Sequence, residues 1–121
     1  MLLEFPTDEF TKRWFEEWAE ESWSWATGLL NFLLQHQPES AWLLINQLVS
    51  AAEDDDELRC VAAGPLEDLL AAYGPQFVER VEHEAKSSER FRTCLAGLWG
   101  HARFESSIYE RVRRSLARQQ E

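Results

Sequence analysis

The side chains able to do chemistry in this 121-residue chain are two cysteines, three histidines and 22 carboxylates. Their spacing decides what is open to them. His36, His83 and His101 lie far apart, none pairs with a cysteine or carboxylate at zinc-site spacing, and HExxH and CxxC are absent. Glu79 and His83 stand four apart on one expected helix, whereas a di-iron bundle needs a glutamate three residues before a histidine on two helices. They read as a surface ion pair. Cys60 and Cys94 each sit among apolar neighbours, where a free thiol behaves as a small hydrophobe. The chain has no GxSxG, no phosphate-cradling glycine loop and no Cys-His arrangement that suggests a nucleophile. The expectation is a protein with no catalytic residues, no metal site and no cofactor.

The carboxylates are informative through their distribution. Residues 1–58 hold 13 acidic and 2 basic side chains, a net of −11, while residues 59–121 hold 9 acidic and 10 basic, a net of +1. An acidic field of this kind repels phosphate backbones, so direct nucleic-acid binding is not expected, and it steers basic partners by an attraction that salt weakens. The densest run is Glu53-Asp54-Asp55-Asp56-Glu57. Its acids are consecutive and no glycine stands at the sixth position, which excludes a calcium loop of the EF-hand kind. Asp54 instead suits the N-cap of a short helix with Glu57 completing a capping box. The run is thereby left as an exposed acidic knob between two helices.

The elements that must position these acids follow from apolar periodicity. Thr7-Asp8-Glu9 opens a first helix running to about Glu20, in which Phe10, Trp14 and Trp18 recur every four residues, with Phe15 and Ala19 alongside. Glu9, Glu16, Glu17, Glu20 and Glu21 edge that aromatic stripe. The tryptophans fit either core packing or an interface, where this residue type is a frequent anchor. A second helix, starting between Ser22 and Trp25, carries Trp25, Ala26, Leu29, Leu30, Leu33 and Leu34, a wide apolar face that also takes in Phe32, and is expected to be the most buried element of the N-terminal half. Gly28 in its middle suggests close approach of another helix. After a break of about four residues at Gln35-His36-Gln37, Pro38 opens a third helix carrying Ala41, Trp42, Leu44, Ile45, Leu48, Val49 and Ala52.

Two Gly-Pro steps, Gly64-Pro65 and Gly74-Pro75, each read as one helix stopping and another starting, with Leu66, Leu69 and Leu70 buried between them. Phe77, Val78, Val81 and Ala85 form the next stripe. Ser88 then caps a helix holding Phe91, Cys94, Leu95, Leu98 and Trp99, which Gly100 closes. Ser107 and Glu110 form a capping-box pair for a last helix with Ile108, Val112 and Leu116 inside and Arg111, Arg113, Arg114 and Arg118 outside. No stretch alternates with period two. The expected fold is all-α, about eight short helices in antiparallel pairs, resembling a short HEAT-like helical-repeat array or an irregular bundle.

Trp25-Ala26, Pro38-Glu39 with Ala41-Trp42, Ala63-Gly64-Pro65-Leu66-Glu67-Asp68-Leu69-Leu70, Phe91-Arg92 and Leu95 to Trp99 together resemble a family of small bacterial proteins of uncharacterised function, over roughly residues 7–116. The resemblance implies a stand-alone helical domain and supplies no activity or site residue. Glu67 and Asp68 belong to its most specific block, and they read either as functional acids or as acids of a helix start.

One domain spanning residues 1–121 is expected, and no apolar run is long enough to cross a membrane, which points to the cytoplasm. The leading functional expectation is a non-catalytic acidic binding protein, monomer or dimer, of the immunity or inhibitor kind. Its partner would be a basic protein such as a bacterial toxin or a nucleic-acid-binding protein. The contact residues expected are Glu9, Glu16, Glu17, Glu20, Glu21, Trp23, Asp54, Asp55, Asp56 and Glu57. A helical-repeat adaptor binding a peptide or helix, and a nucleic-acid mimic blocking a DNA- or RNA-binding protein, are the alternatives. Reversing Glu16, Glu17, Glu20 and Glu21 to lysine is expected to weaken binding to a basic partner.

Overall fold

The apolar repeats become seven α-helices and one π-helical segment in a computed structural model that describes residues 7–98 and 106–118. In order these are α1 (Thr7–Glu20), α2 (Trp25–His36), α3 (Pro38–Ala51), α4 (Asp55–Val61), the π segment (Ala62–Leu66), α5 (Glu67–Ser87), α6 (Glu89–Leu95) and α7 (Ser106–Arg118). The described residues contain no strand. They pack as an irregular all-α bundle, with α1 against α2 and α3, α3 against α5 and α6, and α7 against α5.

At the centre Trp42 of α3 is buried beside Phe77 of α5 and Phe91 of α6, with ring centroids 5.8 and 6.1 Å away. The Phe10 and Trp14 rings of α1, Leu44, Ile45 and Leu48 of α3, and Leu66, Leu69 and Leu70 continue the same core. Polar ties also join the helices. Arg90 of α6 donates to the Ala52 and Val49 carbonyls at the C-terminus of α3 (2.5 and 3.4 Å), Arg80 of α5 pairs with Glu39 of α3 (2.6 Å), and Arg111 of α7 pairs with Glu82 of α5.

The helix count differs from the expected eight because neither Gly-Pro step ends a helix. From Asp55 to Ser87 the chain runs as one bent rod, which leaves six helical bodies among the described residues. Pro65 has no N–H to give the preceding turn, and its ring would press on the carbonyl four residues back. The backbone widens there into a π turn, in which the Glu67 N–H reaches the Ala62 carbonyl. At Pro75 the strain is taken up by Tyr73, whose φ of −134° and ψ of 31° kink α5. No glycine among the described residues adopts a positive φ. Gly64 and Gly74 serve instead for close approach: a Cβ on Gly64 would sit 2.9 Å from the Trp18 ring, and one on Gly74 would sit 3.1 Å from Ile108.

Several local expectations also change. The α2–α3 connection is the single residue Gln37. A Cβ on Gly28 would meet nothing within 4 Å, so no described helix explains that glycine, and α2 leaves Trp25 and Phe32 half exposed rather than buried. Helix α7 begins at Ser106, placing Ser107 inside its first turn. Glu67 and Asp68 lie in the first turn of α5, as a helix start requires, but Glu67 is buried and the helical path reaches it unbroken from the π segment, so no free helix end stands there. The expected cap at Ser88 forms, its hydroxyl accepting from the Phe91 N–H at 3.1 Å. Trp99, Gly100 and His101 lie outside the described residues.

One left-handed residue closes α1. Glu21 has φ 52°, with its N–H on the Trp18 carbonyl and the Ser22 N–H on the Glu17 carbonyl, the hydrogen-bond pattern of a Schellman motif whose favoured residue is glycine. Glu21→Gly should therefore stabilise the fold by about 1 kcal/mol in urea denaturation. Gly64→Ala should destabilise it by about 1–2 kcal/mol, because Trp18 must move.

Candidate protein-binding surface

Helix α1 presents acids on two sides with different fates. Glu9, Glu16 and Glu20 follow one another at spacings of seven and four along its outer face and are exposed, as is Glu21. Glu17 points the other way and is 0% exposed. Its carboxylate accepts the backbone N–H groups of Ser24 (2.8 Å), Thr27 (2.9 Å) and Ala26 (3.1 Å) and the Arg13 Nε–H (3.2 Å). These are the orphan donors at the start of α2, where Ser24 occupies the N-cap position without a side-chain cap of its own. A residue on one helix thus caps the next.

Burial alone would raise the pKa of Glu17. The Thr27 side chain and N–H, with the Ser24 and Ala26 N–H groups, outweigh it and hold the carboxyl at about 2. The Thr27 hydroxyl contributes from nearby without an aligned hydrogen bond of its own; the backbone donors carry the geometry. Glu17 is withdrawn from the expected contact set, because its place is the interior.

Of the remaining expected residues, Glu16 and Glu57 line one groove and Asp54 and Asp55 a second, while Glu9, Glu20, Glu21, Trp23 and Asp56 line neither. A groove of about 470 Å³ runs between α1 and the α3–α4 connection, lined by Lys12, Phe15, Glu16, Ala19, Glu53 and Glu57 among others. Glu16 of α1 and Glu53 and Glu57 of the knob therefore line one depression together with Lys12 and the apolar Phe15, Ala19 and Ala51. A smaller neighbouring depression of about 270 Å³ holds Glu53, Asp54, Asp55 and Glu89 around Arg90 and Thr93. Glu53 belongs to both.

The knob is ordered by its own acids. Asp54 Oδ1 accepts the Glu57 N–H (2.8 Å), as the capping-box reading requires, and Glu57 Oε1 accepts the Glu53 N–H (2.8 Å), one residue upstream of the N-cap. Asp56 pairs with Arg59. Asp55 and Glu53 stay exposed to solvent.

The tryptophans divide. Trp14 and Trp42 are core, Trp18 is half-buried beneath Gly64, and Trp23 is 57% exposed with its ring 5.1 Å from that of Trp18. Trp14, Trp18 and Trp23 form a ladder of rings from the interior to the turn after α1. Trp23 is thus an exposed aromatic on a rigid base, beside Glu20 and Glu21. Sequence periodicity could not separate it from the buried pair.

Other chemistry-bearing residues do not assemble. His83, Glu79 and Glu84 border a surface depression with Trp42 and Arg80, but the expected Glu79–His83 ion pair does not form. Both cysteines are free. Cys94 is buried, its thiol pushed up to about 12 by burial and donating to the Leu58 carbonyl at 3.4 Å; Cys60 is raised as well, by burial first and then by Glu57, Asp56 and Asp54. No group of three or more histidine, cysteine or carboxylate side chains could hold a metal ion among the described residues, and none of the described helices is long and apolar enough to cross a membrane.

Among known proteins, the model of a family of unknown function (DUF6869) matches residues 15–120. No curated protein and no solved structure matches the chain.

The Glu17 cap makes stability depend on pH in a defined direction. A carboxyl near 2 in the folded state and about 4.3 in the unfolded chain contributes on the order of 3 kcal/mol, fully present above about pH 5 and lost as pH falls toward 2. Glu17→Gln should destabilise the protein by about 2–4 kcal/mol at pH 7 and flatten the pH dependence of the urea midpoint between pH 5 and pH 2.

Proposed function

We propose, for a chain that belongs to this family of unknown function and inherits no activity from it, a role built on its own surface: a small acidic binding protein without catalysis. The partner proposed is a basic bacterial protein such as a toxin, which the chain neutralises in the manner of an immunity or inhibitor protein. The observation that carries this reading is the groove lined by Glu16 of α1 and Glu53 and Glu57 of the knob, three acids to the one base Lys12, together with Phe15 and Ala19. Acids attract cations over distance, while apolar lining rewards only a segment that fits. A basic amphipathic segment meets both demands. Trp23 supplies a rigid exposed aromatic of the type that anchors interfaces.

The adaptor reading draws on a different observation. Trp25, Phe32 and Leu43 are each half exposed or more, an apolar display that charge does not explain. An adaptor using it would bind with little dependence on salt.

Capture from a bacterial lysate by the tagged, nuclease-treated chain at low and moderate salt, read by mass spectrometry, tests the first reading. A basic protein released by salt is expected. Double reversal Glu16→Lys/Glu53→Lys, at exposed side chains the fold does not use, should weaken its capture about tenfold or more at low salt. Undiminished capture by that variant would remove the groove from the mechanism. A neutral partner that survives salt would favour the adaptor.

A further inference from the structure

Helix α2 leaves one face uncovered. Trp25 is 50% and Phe32 52% exposed, Leu29 between them is only partly buried, and Gly28 faces open space. Trp25 and Phe32 lie two turns apart, about 10 Å along the axis, on one stripe. Leu43 of α3, six residues past the Gln37 turn as Phe32 is five before it, is also exposed and extends the apolar surface at that end.

We propose that this stripe is a self-association surface, on which α2 of one molecule packs against α2 of a second copy about a two-fold axis.

Charge selects the occupant. From Ser22 to Pro38 the chain carries no Asp, Glu, Lys or Arg, although the whole protein has a net charge of −10. Two such molecules repel wherever carboxylates meet, so a second copy can approach closely only through a face that lacks them. A basic protein would find nothing there to attract it. The spacing also suits a two-fold axis. In an antiparallel pair centred between Gly28 and Leu29, Trp25 lies against Phe32 of the second copy, and the reverse, as an isologous contact demands. Gly28 then sits at the crossing. Glycine inside a helix costs stability, and unlike Gly64 and Gly74 it has no neighbour among the described residues to account for it. A second backbone passing close by would.

Sedimentation of the full chain from about 1 to about 200 μM tests the proposal. A monomer–dimer equilibrium is expected, strengthened by added salt because screening reduces the repulsion between acidic molecules. Phe32→Glu, at an exposed position whose folding circular dichroism can confirm, should raise the dissociation constant at least tenfold. Gly28→Ala should act with opposite signs on two readouts. It should raise the melting temperature of the dilute monomer by about 3 °C, as better helix propensity in open space requires, while weakening the dimer about tenfold. A chain that stays monomeric throughout, leaving the stripe to a different protein, would overturn the proposal. So would a Phe32→Glu or Gly28→Ala variant that associates as well as the parent.

Discussion

The carboxylate of Glu17 holds the start of α2 from the body of α1, and much of the N-terminal half depends on that one set of hydrogen bonds. Three backbone N–H groups at Ser24, Ala26 and Thr27 would otherwise be left to find partners in a partly buried turn. Because the capping group comes from another helix, it fixes the angle between the two as well as the end of one. It also determines what lies between them. The chain must reverse within Glu21 to Ser24, which sends Glu21 into the left-handed region and leaves Trp23 outside, its ring resting on Trp18. The exposed aromatic of the candidate binding surface is therefore a consequence of an interior ion.

A second constraint governs the C-terminal half. The rod from Asp55 to Ser87 crosses two prolines without stopping, absorbing the first in a π turn and the second in a kink at Tyr73. A straight helix of that length could not wrap a core this small. The bends let Leu58 and Val61 pack at one end and Phe77, Val78 and Val81 at the other on the same cluster around Trp42. Gly64 and Gly74 stand at those bends because Trp18 and Ile108 come too close for a side chain.

The surface that results is divided by charge. The groove between α1 and the knob is lined by carboxylates together with apolar side chains, while α2 offers an apolar stripe with no formal charge for seventeen residues. Contacts of the kind proposed for the first would weaken with salt and those proposed for the second would not, since only the first relies on unscreened fields. The two proposed kinds of contact would therefore not compete for the same residues.

The sequence by itself determined the helical class, the absence of any known catalytic or metal-binding motif, the acidic bias of residues 1–58 and nearly all of the core. Each of these is a matter of composition or of period, and burial of Phe10, Trp14, Leu66, Leu69, Phe77, Val81 and Phe91 follows from a repeat that only one helix face can satisfy. The caps at Asp54 and Ser88 were legible for the same reason, since donor and acceptor lie three residues apart. What only the tertiary structure decided is which member of an amphipathic set faces inward when several are equivalent in sequence. Glu16, Glu17 and Glu20 look alike along the chain, yet one is an internal cap and two are surface acids, because the start of α2 arrives on one side of α1 and not the other. The Gly-Pro steps misled in the same way. Local rules say that such a step can end a helix, but whether it ends or bends is set by whether the next turn still has a core to cover, and in this bundle it does.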